Sequence, residues 1–131
     1  QMCIRDSASP LQRAHETAKI INENHQLEIK IDSRIQEINF GKFEGIVNNE
    51  EFQYYKQNHG LHYPGGESLF QVVYRVYSFL EELENKYPDK NILVVCHGGI
   101  VRVIHSYFQD MTNEELMTWL PENCCIQSYE K

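Results

Sequence analysis

Leu11, Ala14, Ala18 and Ile21 recur at helical spacing behind Ser9-Pro10. That dipeptide suits an N-cap and a first helical position, so the pattern predicts a helix to about Asn24. Leu27, Ile29 and Ile31 alternate with polar residues, as in a short strand with one buried face. Ile35–Gly45 carries Phe40-Gly41 and Glu44-Gly45 and reads as a loop with strained turns, and Asn48–Asn58 reads as a short polar helix. Tyr63-Pro64-Gly65-Gly66 is a turn cluster. Leu69, Val72, Val73, Val76, Phe79, Leu80 and Leu83 then form a wide apolar stripe on the longest helix, Glu67–Tyr87, which Pro88-Asp89 ends.

Ile92–Cys96 is a continuous apolar run, the pattern of a central strand buried on both faces. His97-Gly98-Gly99 follows, and Gly99–Phe108 reads as the next helix. Thr112 with Glu115 makes a capping box for a helix through Trp119, and Cys124–Tyr129 reads as a last strand. Helices and strands in alternation predict an α/β fold: a three-layer α/β/α sandwich on a mostly parallel sheet. A right-handed crossover through the long helix makes its flanking strands parallel. Gln1–Ser7 does not read as the start of a domain. It is too short for a reliable strand and looks like a truncation or junction, leaving residues 8–131 as the domain.

The chain has 131 residues, enough to bury about two-thirds of its unfolded surface. Its formal charge of −7, with no basic run, argues against nucleic acid or anionic lipid as main partner. No apolar run approaches the ~18 residues of a membrane span, and the opening residues do not show a signal-peptide pattern. Cys3, Cys96, Cys124 and Cys125 suit neither a disulfide framework nor a zinc site, so reduced thiols in a cytoplasmic setting are expected.

His97 falls at the carboxyl end of a strand and beside a helix N-terminus, where α/β sheets bind ligands and where anions are attracted. Arg13 places a fork of donors near the start of the first helix, suited to phosphate or carboxylate, although an exposed arginine pairing with Glu16 or Glu23 reads as well. Glu37 precedes a glycine-punctuated loop and can serve a pocket as proton donor or simply be solvated. Glu67 and Ser68 open the long helix, as helix initiators or as substrate contacts. His59 and His62 lack carboxylate or thiolate partners for a metal site. His15, His25 and His105 read as structural or exposed.

Four segments, in this order, resemble the histidine phosphatase superfamily, also called phosphoglycerate mutase-like. They are Ser9-Pro10-Leu11-Gln12-Arg13-Ala14, Glu37 through Gly45, Pro64-Gly65-Gly66-Glu67-Ser68 with Arg75, and Val94-Val95-Cys96-His97-Gly98-Gly99. The resemblance implies that a nucleophilic histidine takes the phosphoryl group and that water then hydrolyses the phosphohistidine. It implies Arg13, His97 and the Gly98 amide as phosphate ligands, His97 as the second pocket histidine, and Glu37 as general acid. Glu67 and Ser68 are expected to touch substrate, with no metal or other cofactor required.

The family's nucleophile lies in an Arg-His-Gly motif on a first strand, upstream of the Ser-Pro segment. No Arg-His-Gly occurs in this sequence. The expectation is therefore a truncated phosphatase lacking that strand, with an unpaired apolar strand edge near Val94 that favours a homodimer or aggregation. About 21 residues separate Gly45 from Glu67, which leans toward compact phosphatases of the α-ribazole phosphatase or broad-specificity kind. The alternatives are a phosphoglycerate mutase, or an inactive relative that binds phosphorylated ligands or a protein. The expected ligand is a small phosphomonoester.

Overall fold

Three parallel strands form one sheet in a computed structural model that describes residues 3–46 and 49–130. The strands are β1 (Cys3–Ala8), β2 (Ile29–Ile31) and β3 (Asn91–Val95), in the order β2-β1-β3. Ala8 stands opposite Ile31 on one side and Val95 on the other, so the three carboxyl ends are level. Helix α1 (Gln12–Asn22) joins β1 to β2, α2 (Glu50–Gln57) and α3 (Leu69–Lys86) lie between β2 and β3, and α4 (Gly98–Phe108) and α5 (Asn113–Thr118) follow.

The chain steps outward from β1 to β2, then back past β1 to β3. Right-handed crossovers in opposite directions put their helices on opposite faces. Helix α1 therefore covers one face, and its buried residues are Ala14 and Ala18, small enough for close approach to the sheet. Helices α3 and α4 cover the other. Val72, Val76 and Phe79 interlock there with Ile100, Val103 and Ile35, and Val94 and Cys96 pack against them. Each fully buried Val, Ile or Phe contributes about 1.5–3 kcal/mol, which makes this α3–α4 layer the main source of cohesion.

The caps follow the sequence closely. Ser68 accepts from Gln71 N while the Gln71 side chain returns to Ser68 N, and Thr112 and Glu115 do the same for α5. Asn49 caps α2, whose predicted first residue, Asn48, lies outside the described residues.

Three expectations need correction. Cys3–Ala8 is a strand, paired on both sides in the middle of the sheet, with Asp6 and Ser7 each only 1 % exposed; Gln1 and Met2 lie outside the described residues. Its polar residues hid it, since tertiary pairing rather than strand propensity holds it in place. Strand β3 is half-buried rather than buried on both faces; β1 pairs one edge, and the other, expected unpaired near Val94, has no partner strand among the described residues. Cys124–Tyr129 is not a strand. Cys124 takes φ +60, which breaks the extended run, and Tyr129 instead stacks on Phe108 with ring centroids 4.9 Å apart.

Candidate active site at the carboxyl ends of two strands

After β1 the chain turns to a helix on one face, and after β3 to a helix on the other. The ends of these neighbouring strands thus open a crevice of the kind that binds ligands in α/β sheets. Ser9 follows β1 and His97 follows β3. His97 Nε2 lies 2.8 Å from Ser9 Oγ, and Ser9 N donates to Val95 O at 3.0 Å, tying the two strand ends together. Ser9 is therefore not the N-cap of α1, which begins at Gln12. Its hydroxyl is turned toward the imidazole and also accepts from Leu11 N at 3.3 Å.

His97 itself is the N-cap residue of α4, in extended conformation, and its carbonyl accepts from Val101 N at 2.8 Å. The amides of Gly98 and Gly99 open the helix without intrahelical acceptors, at the positive end of its dipole. Burial, together with the charge of Arg13, pushes the His97 pKa down to about 4. A neutral imidazole and helix amides thus face the same crevice, and the charge of exposed Arg13 is felt at the imidazole. That set suits an oxyanion carrying more than one negative charge.

Glu37 reaches this region from the loop after the short helical turn Ser33–Ile35. Its Oε1 accepts from Ile38 N at 2.9 Å, and the carboxylate lies over Gly99. Any Cβ at position 99 would come within 2.6 Å of Oε1, so glycine there makes room for the acid.

Arg75, on α3, fixes the Glu37 segment from behind. It donates to the carbonyls of Arg34 (2.6 Å), Gln36 (2.8 Å) and Glu37 (3.4 Å), and forks onto Glu67 at 2.9 and 3.0 Å. Glu67 in turn accepts from Asn39 N at 3.0 Å. Burial would raise its pKa, but the Arg75 hydrogen bonds and the Asn39 amide outweigh that and hold the carboxyl below its usual value. Gly41, at φ +57, lets the Pro64-Gly65-Gly66 turn press on the loop, since a Cβ there would meet Pro64 O at 2.0 Å. Glu67 and Ser68, expected to touch substrate, are thus engaged in holding the acid's loop and capping α3. Sequence reasoning missed Arg75 in this role; its spacing after the Pro-Gly-Gly-Glu-Ser segment was the available signal.

Beside Glu37 and Gly99 lies a cavity of about 200 Å³, with Phe40, Phe52, Tyr55 and Tyr63 among its walls and Lys56 and Arg102 in its lining. Arg102 Nε donates to Trp119 O at 2.6 Å. Arg102 was also missed, although it stands one helical turn after Gly99. Among the described residues, no three His, Cys, Asp or Glu side chains are grouped to hold a metal ion.

A family model of the histidine phosphatase superfamily (branch 1) matches residues 3–130. The chain is 32% identical over 124 residues to the uncharacterized phosphatase PhoE of Bacillus subtilis, covering 93% of this chain and 61% of that protein. It is 33% identical over 106 residues to phosphoserine phosphatase 1 of Hydrogenobacter thermophilus, covering 75% of this chain and 50% of the relative. Among solved structures, the α-ribazole phosphatase of Shigella flexneri superposes with a TM-score of 0.73 at 22% identity, over 91% of this chain and 63% of that one. At that identity the likeness speaks for the fold. The chain spans between 50% and 61% of the length of the two sequence relatives.

Proposed function

Because the chain belongs to the histidine phosphatase superfamily, branch 1, we propose that it carries the phosphate pocket and the acid of a phosphomonoester hydrolase. The substrate is a small phosphorylated metabolite, and the reaction runs through a phosphohistidine. The observation that carries this reading is the meeting of His97, Ser9 and the α4 N-terminus at two adjacent strand ends, within reach of the Arg13 charge.

In this reading Arg13, His97 and the Gly98 amide hold the equatorial oxygens of the transferring group. Charge accumulates on those oxygens, so donors fixed in advance stabilise the transition state. Glu37 protonates the leaving alcohol oxygen. Arg75 is a positioning residue that holds the Glu37 backbone. With no Arg-His-Gly in the sequence, the nucleophilic histidine is not among these residues, and His97 is the second histidine. Relatives named as phosphatases support the reaction class.

Calorimetric titration with inorganic phosphate at pH 7 tests the pocket. Wild-type chain binds, and Arg13→Ala weakens binding by roughly 10-fold or more, as loss of a charge-assisted hydrogen bond requires. A folded chain that ignores phosphate overturns the reading. An aryl phosphate assay tests the roles: turnover by this chain that vanishes in His97→Ala would make His97 the nucleophile.

A further inference from the structure

Cys124 and Cys125 stand side by side, exposed, with free thiols. They lie in a segment whose two ends are fastened to one histidine of α4. At its start the Trp119 ring stacks on His105 with centroids 4.1 Å apart. At its end the Tyr129 hydroxyl lies 3.0 Å from His105 Nδ1, and the Tyr129 ring stacks on Phe108. Both ends are held against the helix, and the cysteines are carried between them in solvent.

The cysteines occupy a tight turn. Cys125 N donates to Glu122 O at 3.2 Å, and Cys124 takes φ +60, a left-handed conformation that is costly for a residue with a Cβ. Such strain persists only where surrounding contacts impose it, and the His105 and Phe108 contacts flank the turn here. Gln127 Nε2 donates to Cys125 Sγ at 3.4 Å and holds that sulfur near the turn.

A third thiol competes for the pair. Burial raises the Tyr129 pKa, and so do the charges of Cys125 and Cys96, which places both sulfurs in the surroundings of its hydroxyl. Cys96, however, is half-buried, and burial pushes its thiol up to about 12. The thiolate is the nucleophile, so Cys96 is inert at neutral pH. Cys124 is exposed and one peptide bond from Cys125.

We propose that Cys124 and Cys125 are a reversible oxidation site, closed to a disulfide by small-molecule disulfides of the glutathione kind, and that closure shifts the segment's hold on His105. One cysteine thiolate attacks a sulfur of the small disulfide and expels a thiolate, leaving a mixed disulfide. The neighbouring thiolate then attacks the protein sulfur of that bond and expels the second small thiolate. Two protein thiols are oxidised, one small disulfide is reduced, and the two protons pass to the departing thiolates. Adjacent Cα atoms are about 3.8 Å apart, short of the ~4.4–6.8 Å of ordinary disulfides, so the bond is strained and readily reduced again. Closing the ring resets the torsions of Cys124, and the anchors at Trp119 and Tyr129 take up the change. None of this depends on phosphate binding.

The test treats the full chain with oxidised glutathione at neutral pH, quenches in acid, blocks free thiols with N-ethylmaleimide and maps a tryptic digest. The fragment after Arg102 contains Cys124 and Cys125 and no other cysteine. It is expected to become lighter by two hydrogen atoms, to take up no maleimide, and to regain both thiols with a dithiol reductant. In Cys124→Ser and Cys125→Ser a glutathione adduct accumulates instead, roughly 10-fold or more above its level in wild type, because no neighbouring thiol displaces it. Cys96→Ser closes the ring as wild type does. The emission of Trp119, the sole tryptophan, shifts with closure and returns on reduction.

Two alkylatable thiols after treatment, or a lasting glutathione adduct on the wild-type chain, overturn the site. A bond from either residue to Cys96 or to a second chain overturns it as well. Closure that leaves the Trp119 emission unchanged overturns the link to His105.

Discussion

The Oε1 atom of Glu37 occupies the space that a side chain on Gly99 would need, 2.6 Å from the ideal Cβ position. Residues from two distant segments, a loop and the first turn of a helix, thereby define one point in the crevice. The helix brings free amides and His97, and the loop brings the acid. Glycine at position 99 admits the acid to the place where those amides open.

Gly99→Ala tests this contact. The methyl meets the far end of a flexible carboxylate, and alanine gains up to about 1 kcal/mol of helix propensity, so stability changes little. Glu37 is displaced and Ile38 N–H loses its acceptor. Hydrogen exchange at the Ile38 amide is expected to speed up by about tenfold or more, with melting shifted by less than ~1 kcal/mol. An unchanged Ile38 exchange rate would show that the acid does not depend on the missing side chain.

His97 gives the fold a pH dependence of known sign. Its pKa in the folded chain is lowered to about 4 from an ordinary 6.5. The contribution of the neutral imidazole is therefore complete above pH 6.5 and lost as pH falls toward 4. With a shift of this size it reaches up to about 3 kcal/mol. The His97→Gln difference in unfolding free energy, measured from pH 4 to pH 7.5, isolates it: wild type loses ground on the acid side relative to the variant. Parallel curves would mean that His97 titrates normally.

Asp6 lies 1 % exposed in the central strand, and its Oδ2 has no hydrogen-bond partner among the described residues. Burial raises its pKa, and the charge of His25 offsets this only in part. A buried acid with a raised pKa destabilises the fold when ionised and ceases to do so below its unfolded value. Asp6→Asn is expected to raise stability at pH 7 by about 1–2 kcal/mol. The gain disappears below the ordinary value of 3.8. Thermal melts of both chains at neutral and acid pH measure it, and destabilisation at pH 7 would point to a proton or partner on Asp6.

Arg75 joins α3 to three carbonyls of the Glu37 segment and to Glu67. Arg75→Ala leaves the half-buried Glu67 unpaired and frees those carbonyls, at a cost of about 2–3 kcal/mol. Arg75→Lys recovers only part, because an ammonium cannot make the forked contact. Denaturant unfolding measures both; equal stability of the lysine variant and wild type would reduce Arg75 to a point charge.

The outer edge of β3 carries Ile92, Leu93, Val94 and Val95 with no strand paired to it among the described residues. Edges of this kind pair with other chains. Sedimentation should show concentration-dependent association of the chain. A monodisperse monomer across the same range would show that the edge is protected.

Capping and periodicity were local matters, and the sequence carried them. Ser68 with Gln71 and Thr112 with Glu115 cap their helices as their spacing required. The α3 stripe places Val72, Val76, Phe79 and Leu80 in the core. His97 was placed at a strand end from its own neighbourhood, an apolar run followed by two glycines. Less of the site was legible where the partner is remote in the chain. Ser9 has an ordinary N-cap context, and only the pairing of β1 with β3 turns its hydroxyl toward a histidine 88 positions away. Glu67 read equally well as helix initiator or substrate contact, and only the folded chain shows that its carboxylate takes the fork of Arg75.

The sequence by itself determined the presence of the helices, the capping box of α5, the parallel α/β class and the residue types available for phosphate chemistry. All of these depend on interactions within a few positions along the chain. Tertiary structure decided that Cys3–Ala8 is a strand, that Glu37 seats on Gly99, and that Lys56 and Arg102 share one cavity. Strand pairing, burial and the summed field of distant charges set those outcomes, and none of the three has a period that a linear pattern can display.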